Sequence, residues 1–325
     1  MIEIIDDLPE HIKEAIELGS SSNIKYAGVN SVCIAGMGGS SIGGELLVTL
    51  SAKHSRLPFS LVRDYDLPRF VGKKTLTIIV SYSGNTEESL SLLSQAKDRS
   101  KILCVSSDGV IADQAKKENL PLLSVPKGYP PRAALAFLFF PVLEILNRSG
   151  IMKTQKEDIE ETVQVLSENK ETAKVWAEEV SGKLKEKLPF IYSIYDFRAV
   201  ARRWSTQINE NAKSLAHWAF FSELDHNEIV GWENPQEILK RSFIFILRDR
   251  DEDDRIKRRI EITSELIEGF SGEIMNVYSE GDSELAKLFS LIQKGDYLSI
   301  YLAENYKIDP LPIKRIQELK RRLAE

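Results

Sequence analysis

Cysteine is scarce in this chain: there are two in 325 residues, Cys33 and Cys104, each inside an apolar run and neither in a CxxC spacing. A disulfide framework or a thiolate metal site therefore does not organise the fold, and both thiols read as buried and inert. Long apolar runs are missing as well. Nowhere do eighteen apolar residues follow one another, whereas a membrane-spanning helix needs about 20. Residues 1–30 are acidic and polar, without the basic and apolar regions of a secretory leader. A cytoplasmic protein that does not enter a membrane is expected. There is no surplus of positive charge either: the net charge is −6 and lysine and arginine are dispersed. That argues against a nucleic-acid surface, while a local positive pocket for a small anion stays open.

What is present is a regular alternation. From Ser31 onward, short runs such as "SVCIAG", "FSLVRD", "LTIIVSYSG", "KILCVSSDG" and "LPLLSVP" are separated by segments of helical period at about 41–53, 86–97, 110–118 and 132–147. Near-continuous apolar strands between helices indicate a parallel sheet covered on both faces. Residues 153–187 are highly charged with an apolar stripe at helical spacing, and read as a connecting helix or helix pair. Alternation then resumes, with strands at 188–194, 215–221, 241–249 and 272–280 and helices at 197–213 and 252–269. The expected fold is two α/β domains, each a three-layer α/β/α sandwich with a parallel sheet, spanning 1–150 and 151–325.

The stretch "GMGGSSIGGE", Gly36–Glu45, follows the first strand and opens a helix. In an α/β fold that is where backbone amides approach an anion. A dinucleotide loop would read GxGxxG. Gly36 and Gly38 fit, Ser41 occupies the third place, and Asp64 or Asp66 follows about twenty residues on, which keeps that reading open. A nucleotide P-loop is excluded because no lysine follows the glycines. After the next long strand, "SYSGNTEES" offers Ser81, Ser83 and Thr86 at a second helix start. Either loop alone has the composition of an ordinary turn and cap. Two of them at neighbouring parallel strand ends suit a phosphomonoester, with Gly39, Ser40, Ser81, Ser83 and Thr86 as candidate phosphate ligands.

These two loops, with "PPRAALAF", closely resemble the motifs of the sugar isomerase (SIS) domain. Adding "NENAK" (209–213), "DHNE" (225–228) and "DPLPIKRIQELKRR" near the end, the chain resembles the archaeal-type bifunctional phosphoglucose/phosphomannose isomerase family over nearly its whole length. The resemblance implies two SIS-type domains, a homodimer, no cofactor and no metal. It also implies reversible isomerisation of glucose 6-phosphate, and of mannose 6-phosphate, with fructose 6-phosphate.

Such a reaction opens a sugar ring and then moves a proton between C1 and C2 through an enediolate, which requires a carboxylate in reach of both carbons. Glu210 matches the family's base. His226 matches its ring-opening histidine, a group that titrates near neutrality and that the family supplies from the partner subunit. Arg132, behind the stiff "YPP", suits the fixed cation that stabilises the enediolate. Lys320 matches the lysine near the ring oxygen. One departure concerns the epimer: Ile313 stands where relatives often carry threonine, so the resemblance implies the glucose activity more directly than the mannose one. A SIS isomerase of another sugar phosphate and a non-catalytic sugar-phosphate sensor are the alternatives. The sensor has no need for Glu210, His226 and Arg132 together.

Overall fold

The computed structural model describes residues 1–323. The chain divides into two compact units, one of Asp7–Gln164 and one of Met1–Asp6 together with the residues from Val165 onward. Helix α1 (Ile2–Asp6) belongs to the second. The first unit then runs α2 (Leu8–Ser21), β1 (Ser31–Gly36), α3 (Gly39–His54), β2 (Phe59–Val62), β3 (Thr75–Val80), α4 (Glu87–Ala96), β4 (Lys101–Ser106), α5 (Gly109–Lys117), β5 (Leu122–Ser124), a 3-10 turn at Pro131–Ala133 and α6 (Leu135–Arg148). Its sheet is parallel throughout, in the order β2-β1-β3-β4-β5.

Every residue of β1 and β3 is buried, as apolar strands between two helical layers must be. On one side Cys33, Ala35, Ile79 and Cys104 pack with Leu92, Leu93 and Ile111 of α4 and α5. On the other, α6 buries eleven residues including Phe137, Phe139 and Phe140, each contributing about 1.5–3 kcal/mol. Both cysteines are free and buried. Burial raises both thiol pKa values, that of Cys104 to about 12.

Helix α7 (Lys156–Glu168) spans the division between units. The second unit continues with α8 (Lys170–Leu184), β6 (Leu188–Ser193), a 3-10 turn at Tyr195–Phe197, α9 (Arg198–Gln207), a π-turn at Ile208–Ala212, β7 (His217–Phe220), 3-10 turns at Glu223–His226 and Glu228–Glu233, α10 (Gln236–Leu239), β8 (Ser242–Arg248), α11 (Asp254–Ile267), β9 (Glu273–Tyr278), α12 (Glu284–Asn305) and α13 (Lys314–Leu323). Its parallel sheet has the order β7-β6-β8-β9.

Three details differ from the sequence reading. The charged segment at 153–187 is a helix pair, one of the two forms expected, but α8 is not a connector: Ala173, Ala177, Val180 and Leu184 are buried on the side that packs against α12. By contacts the chain divides at 164/165, against the 150/151 read from composition, because α8 is core to the second unit. The helix placed at 132–147 begins at Leu135, and Arg132 sits in the short turn before it. No helix among the described residues is long and apolar enough to cross a membrane.

Candidate active site

In the first unit the strand order reverses between β1 and β3, since β2 lies beyond β1 and β4 beyond β3. Ligands of open parallel sheets sit in the crevice at the carboxyl ends of the strands at such a reversal. The two hydroxyl-rich loops are the ones that leave these two strands. Gly36 pairs with Val80, the last residue of β3, so the loops start side by side. They are also bonded, the Tyr82 amide donating to Ser40 Oγ at 3.2 Å, and within the second loop Ser81 Oγ donates to Thr86 Oγ1 at 3.2 Å. Thr86 stands at the N-cap of α4, yet its side chain does not cap the helix. Its hydroxyl faces Ser81 instead. Ser83 lines the same loop, where its Oγ accepts from the Asn85 amide at 3.4 Å.

The first loop turns at Gly38, with φ +50, a left-handed conformation that favours glycine. Gly39 is bare for a different reason. A Cβ there would lie 2.8 Å from Arg132 Cα and 2.9 Å from Arg132 N, so the Pro131–Ala133 turn packs directly on the start of α3. Arg132, 3 % exposed, is thereby held at the same crevice. Ser41 fills the place of a dinucleotide loop's third glycine, and its Oγ donates to Gly38 O at 2.8 Å.

Two residues here were not singled out from the sequence. Tyr82 fastens the crevice: its hydroxyl donates to Pro126 O at 2.9 Å and accepts from the Tyr129 amide at 3.0 Å, and burial raises its pKa. Arg63, from the end of β2, donates to Ser41 Oγ at 3.1 Å and is ion-paired with Glu45. The aromatic residue between the two serines of "SYSG" was a signal for Tyr82, whereas Arg63 carried none.

In the second unit Glu210 lies in the π-turn that ends α9, just before β7. Asn209 Oδ1 accepts from the Ala216 amide at 3.0 Å, and the Asn211 amide group donates to Ser299 Oγ at 2.9 Å. Lys213, at φ 55, donates to Glu210 O at 2.6 Å and to Pro310 O at 2.9 Å. Helix α9 packs with α12, which also packs with α8.

His226 follows β7 and is exposed. It rides on a loop fixed on both sides. Asp225 accepts from Arg259 Nη1 at 3.0 Å and from Thr263 Oγ1 at 2.8 Å, both on α11. Glu228 accepts from the buried Tyr192 hydroxyl and bonds His217 Nε2 at 2.9 Å. Burial beside Glu228 raises the Tyr192 pKa. The crossover from β6 through α9 to β7 runs toward one edge of the sheet, and that from β7 back past β6 to β8 runs toward the other. Right-handed crossovers then put the Glu210 element and the His226 loop on opposite faces. Lys320 lies on α13, a helix that buries none of its residues.

Two parallel α/β units, one with paired hydroxyl loops at its strand-order reversal, define a SIS-type protein. Residues 169–323 match the family model described as the bacterial phospho-glucose isomerase C-terminal SIS domain. The fold is similar to that of the C-terminal domain of glucosamine-fructose-6-phosphate aminotransferase from Francisella tularensis, with a TM-score of 0.70 at 13 % identity over 95 % of this chain and 96 % of that one.

The chain is 43 % identical to a bifunctional phosphoglucose/phosphomannose isomerase of Caldicellulosiruptor bescii, covering 100 % of this chain and 99 % of the relative. It is 38 % identical to one of Aquifex aeolicus, covering 90 % of each. It belongs to the bifunctional phosphoglucose/phosphomannose isomerase family.

Proposed function

We propose that this chain isomerises glucose 6-phosphate, and mannose 6-phosphate, to and from fructose 6-phosphate in the cytoplasm. The observation that carries the reading is the bonded pair of loops at the β1/β3 reversal, in a chain 43 % identical to a phosphoglucose/phosphomannose isomerase. The substrate phosphate sits there, against the N-termini of α3 and α4 and the hydroxyls of Ser40, Ser81, Ser83 and Thr86, with the Gly39 backbone close by. Glu210 carries the proton between C2 and C1. Arg132, fixed by its backbone contact with Gly39, supplies permanent positive charge for the enediolate oxygen without competing for the proton. Lys320 serves the ring oxygen.

His226 opens the ring in the site of a second copy of the chain. Its exposure on a clamped loop supports this, as do exposed apolar residues on the turn that follows it and on α11, Val230 (68 %) and Leu266 (58 %). A pair of chains joined by a two-fold axis exchanges the same surface in both directions.

The test has two stages. Chelator-treated protein given fructose 6-phosphate should form glucose 6-phosphate and, measured side by side, mannose 6-phosphate; no aldose product across neutral pH would refute the activity. Glu210→Gln and His226→Ala chains, each inactive alone, should regain about a quarter of wild-type activity after subunit exchange, because half the pairs then carry one intact site. No recovery would place His226 in its own chain's site.

A further inference from the structure

The turn that carries Glu210 is wider than an α-helical one, and π-turns inside helices cluster at functional sites. Beneath it lies a polar seam in an otherwise apolar contact. Arg203, Gln207 and Asn211 follow one another at four-residue spacing and all face α12. Arg203 Nε and Nη2 donate to Asp296 Oδ1 and Oδ2 at 2.9 and 2.7 Å, and Gln207 Nε2 donates to Oδ1 at 2.9 Å. Asn211 Nδ2 donates to Ser299 Oγ at 2.9 Å, which donates in turn to Asp296 O at 2.7 Å. All five residues are buried. A buried ion pair is often replaceable by apolar residues without loss of stability, and its attested use is to fix register. Register is tight at this contact: a Cβ on Gly295 would lie 2.2 Å from Trp204 Nε1.

We infer that Asp296, through Gln207 just before the turn, and Ser299, through Asn211 within it, are positioning residues: together they hold the π-turn open and so set the direction of the Glu210 carboxylate. The inference rests on the reading of Glu210 as the base. Without the seam, Ile208–Ala212 can tighten to α-helical spacing, which turns Glu210 away while α9 and α12 stay packed.

The experiment is the double substitution Arg203→Met with Asp296→Leu in the full chain. Hydrogen exchange, melting temperature, kcat and KM are read together. The double variant should fold with a melting temperature within a few degrees of wild type. Its amides at 208–212 should exchange about tenfold faster while the rest of α9 stays protected. Its kcat should fall about 10- to 100-fold, the scale on which a misplaced catalytic group costs rate, with KM within about twofold. Unchanged exchange at 208–212, or unchanged kcat in the folded double variant, overturns the inference. If the double variant does not fold, Ser299→Ala, which removes the hydroxyl that accepts from Asn211 and donates to Asp296 O, should give the same split at about threefold; wild-type kcat there overturns it. Glu210→Gln measured alongside separates the two ideas: wild-type turnover in that variant refutes the base assignment, while exchange at 208–212 still judges Asp296.

Discussion

Two sheets of the same build are put to different uses. Both are parallel and both reverse strand order beside their first strand, so both offer a crevice at the carboxyl ends. At the β1/β3 reversal the loops carry glycine, serine and threonine, and little side-chain bulk stands between the helix N-termini and a ligand. At the β6/β8 reversal the loop after β8 reads "DRDED". Arg248 is ion-paired with a buried Glu252, and Lys287 holds Asp249 and Asp251 at 2.9 Å each. The loop at the second reversal is tied up in its own salt bridges. The chemistry proposed for this unit lies elsewhere, at the turn before β7 and the loop after it. The loops at the carboxyl ends of a sheet can thus differ in chemistry without disturbing the sheet, because strand burial and not loop chemistry holds the fold.

The contrast can be broken experimentally. The largest effect is expected from Glu210→Gln: turnover should fall by about three orders of magnitude or more while a phosphorylated sugar acid still binds, as calorimetry would record. Next is Gly84→Ala. A Cβ there would lie 1.8 Å from Asp108 O, at φ +67, so chemical denaturation should show a loss of about 3 kcal/mol or more. Ser81→Ala removes one hydroxyl from the first crevice and should raise KM about tenfold, roughly 1.4 kcal/mol, with kcat little changed.

A smaller effect concerns pH. Burial pushes the Cys104 thiol from an ordinary 9.0 up to about 12. The unfolded chain therefore loses that proton first, and stability falls as pH rises past about 9. Cys104→Ala should flatten part of that alkaline slope in denaturant titrations. Smallest of all, Arg248→Met with Glu252→Leu should leave KM and kcat within about twofold, since a buried pair is replaceable and none of the proposed substrate residues lies at the second crevice. A KM shift there would erase the contrast.

The strands of both sheets and the two hydroxyl loops were legible because their signals are local: apolar runs of strand length, and glycine and serine at helix starts. Arg132 was legible as a residue but not in its setting, since the contact of its backbone with Gly39 spans most of the first unit. The helix read from Phe197 to Lys213 is in fact a 3-10 turn, an α-helix and a π-turn. Local propensity does not encode the extra width. The residues bonded to it and to the turn before it, Ser299 and Asp296, lie far along the chain. The polar residues Arg203, Gln207 and Asn211 at helical spacing were visible, but without α12 opposite them they look like a solvated face. The same blindness made α8 look like a connector.

The opposite-face arrangement of Glu210 and His226 has a consequence for quantity rather than geometry. If each site needs a histidine from another copy, a lone chain is a folded but incompetent molecule, and catalytic output carries a concentration scale set by the dimer's dissociation constant. Under that proposal specific activity would fall on dilution below that constant and return on reconcentration, with no change in the fold.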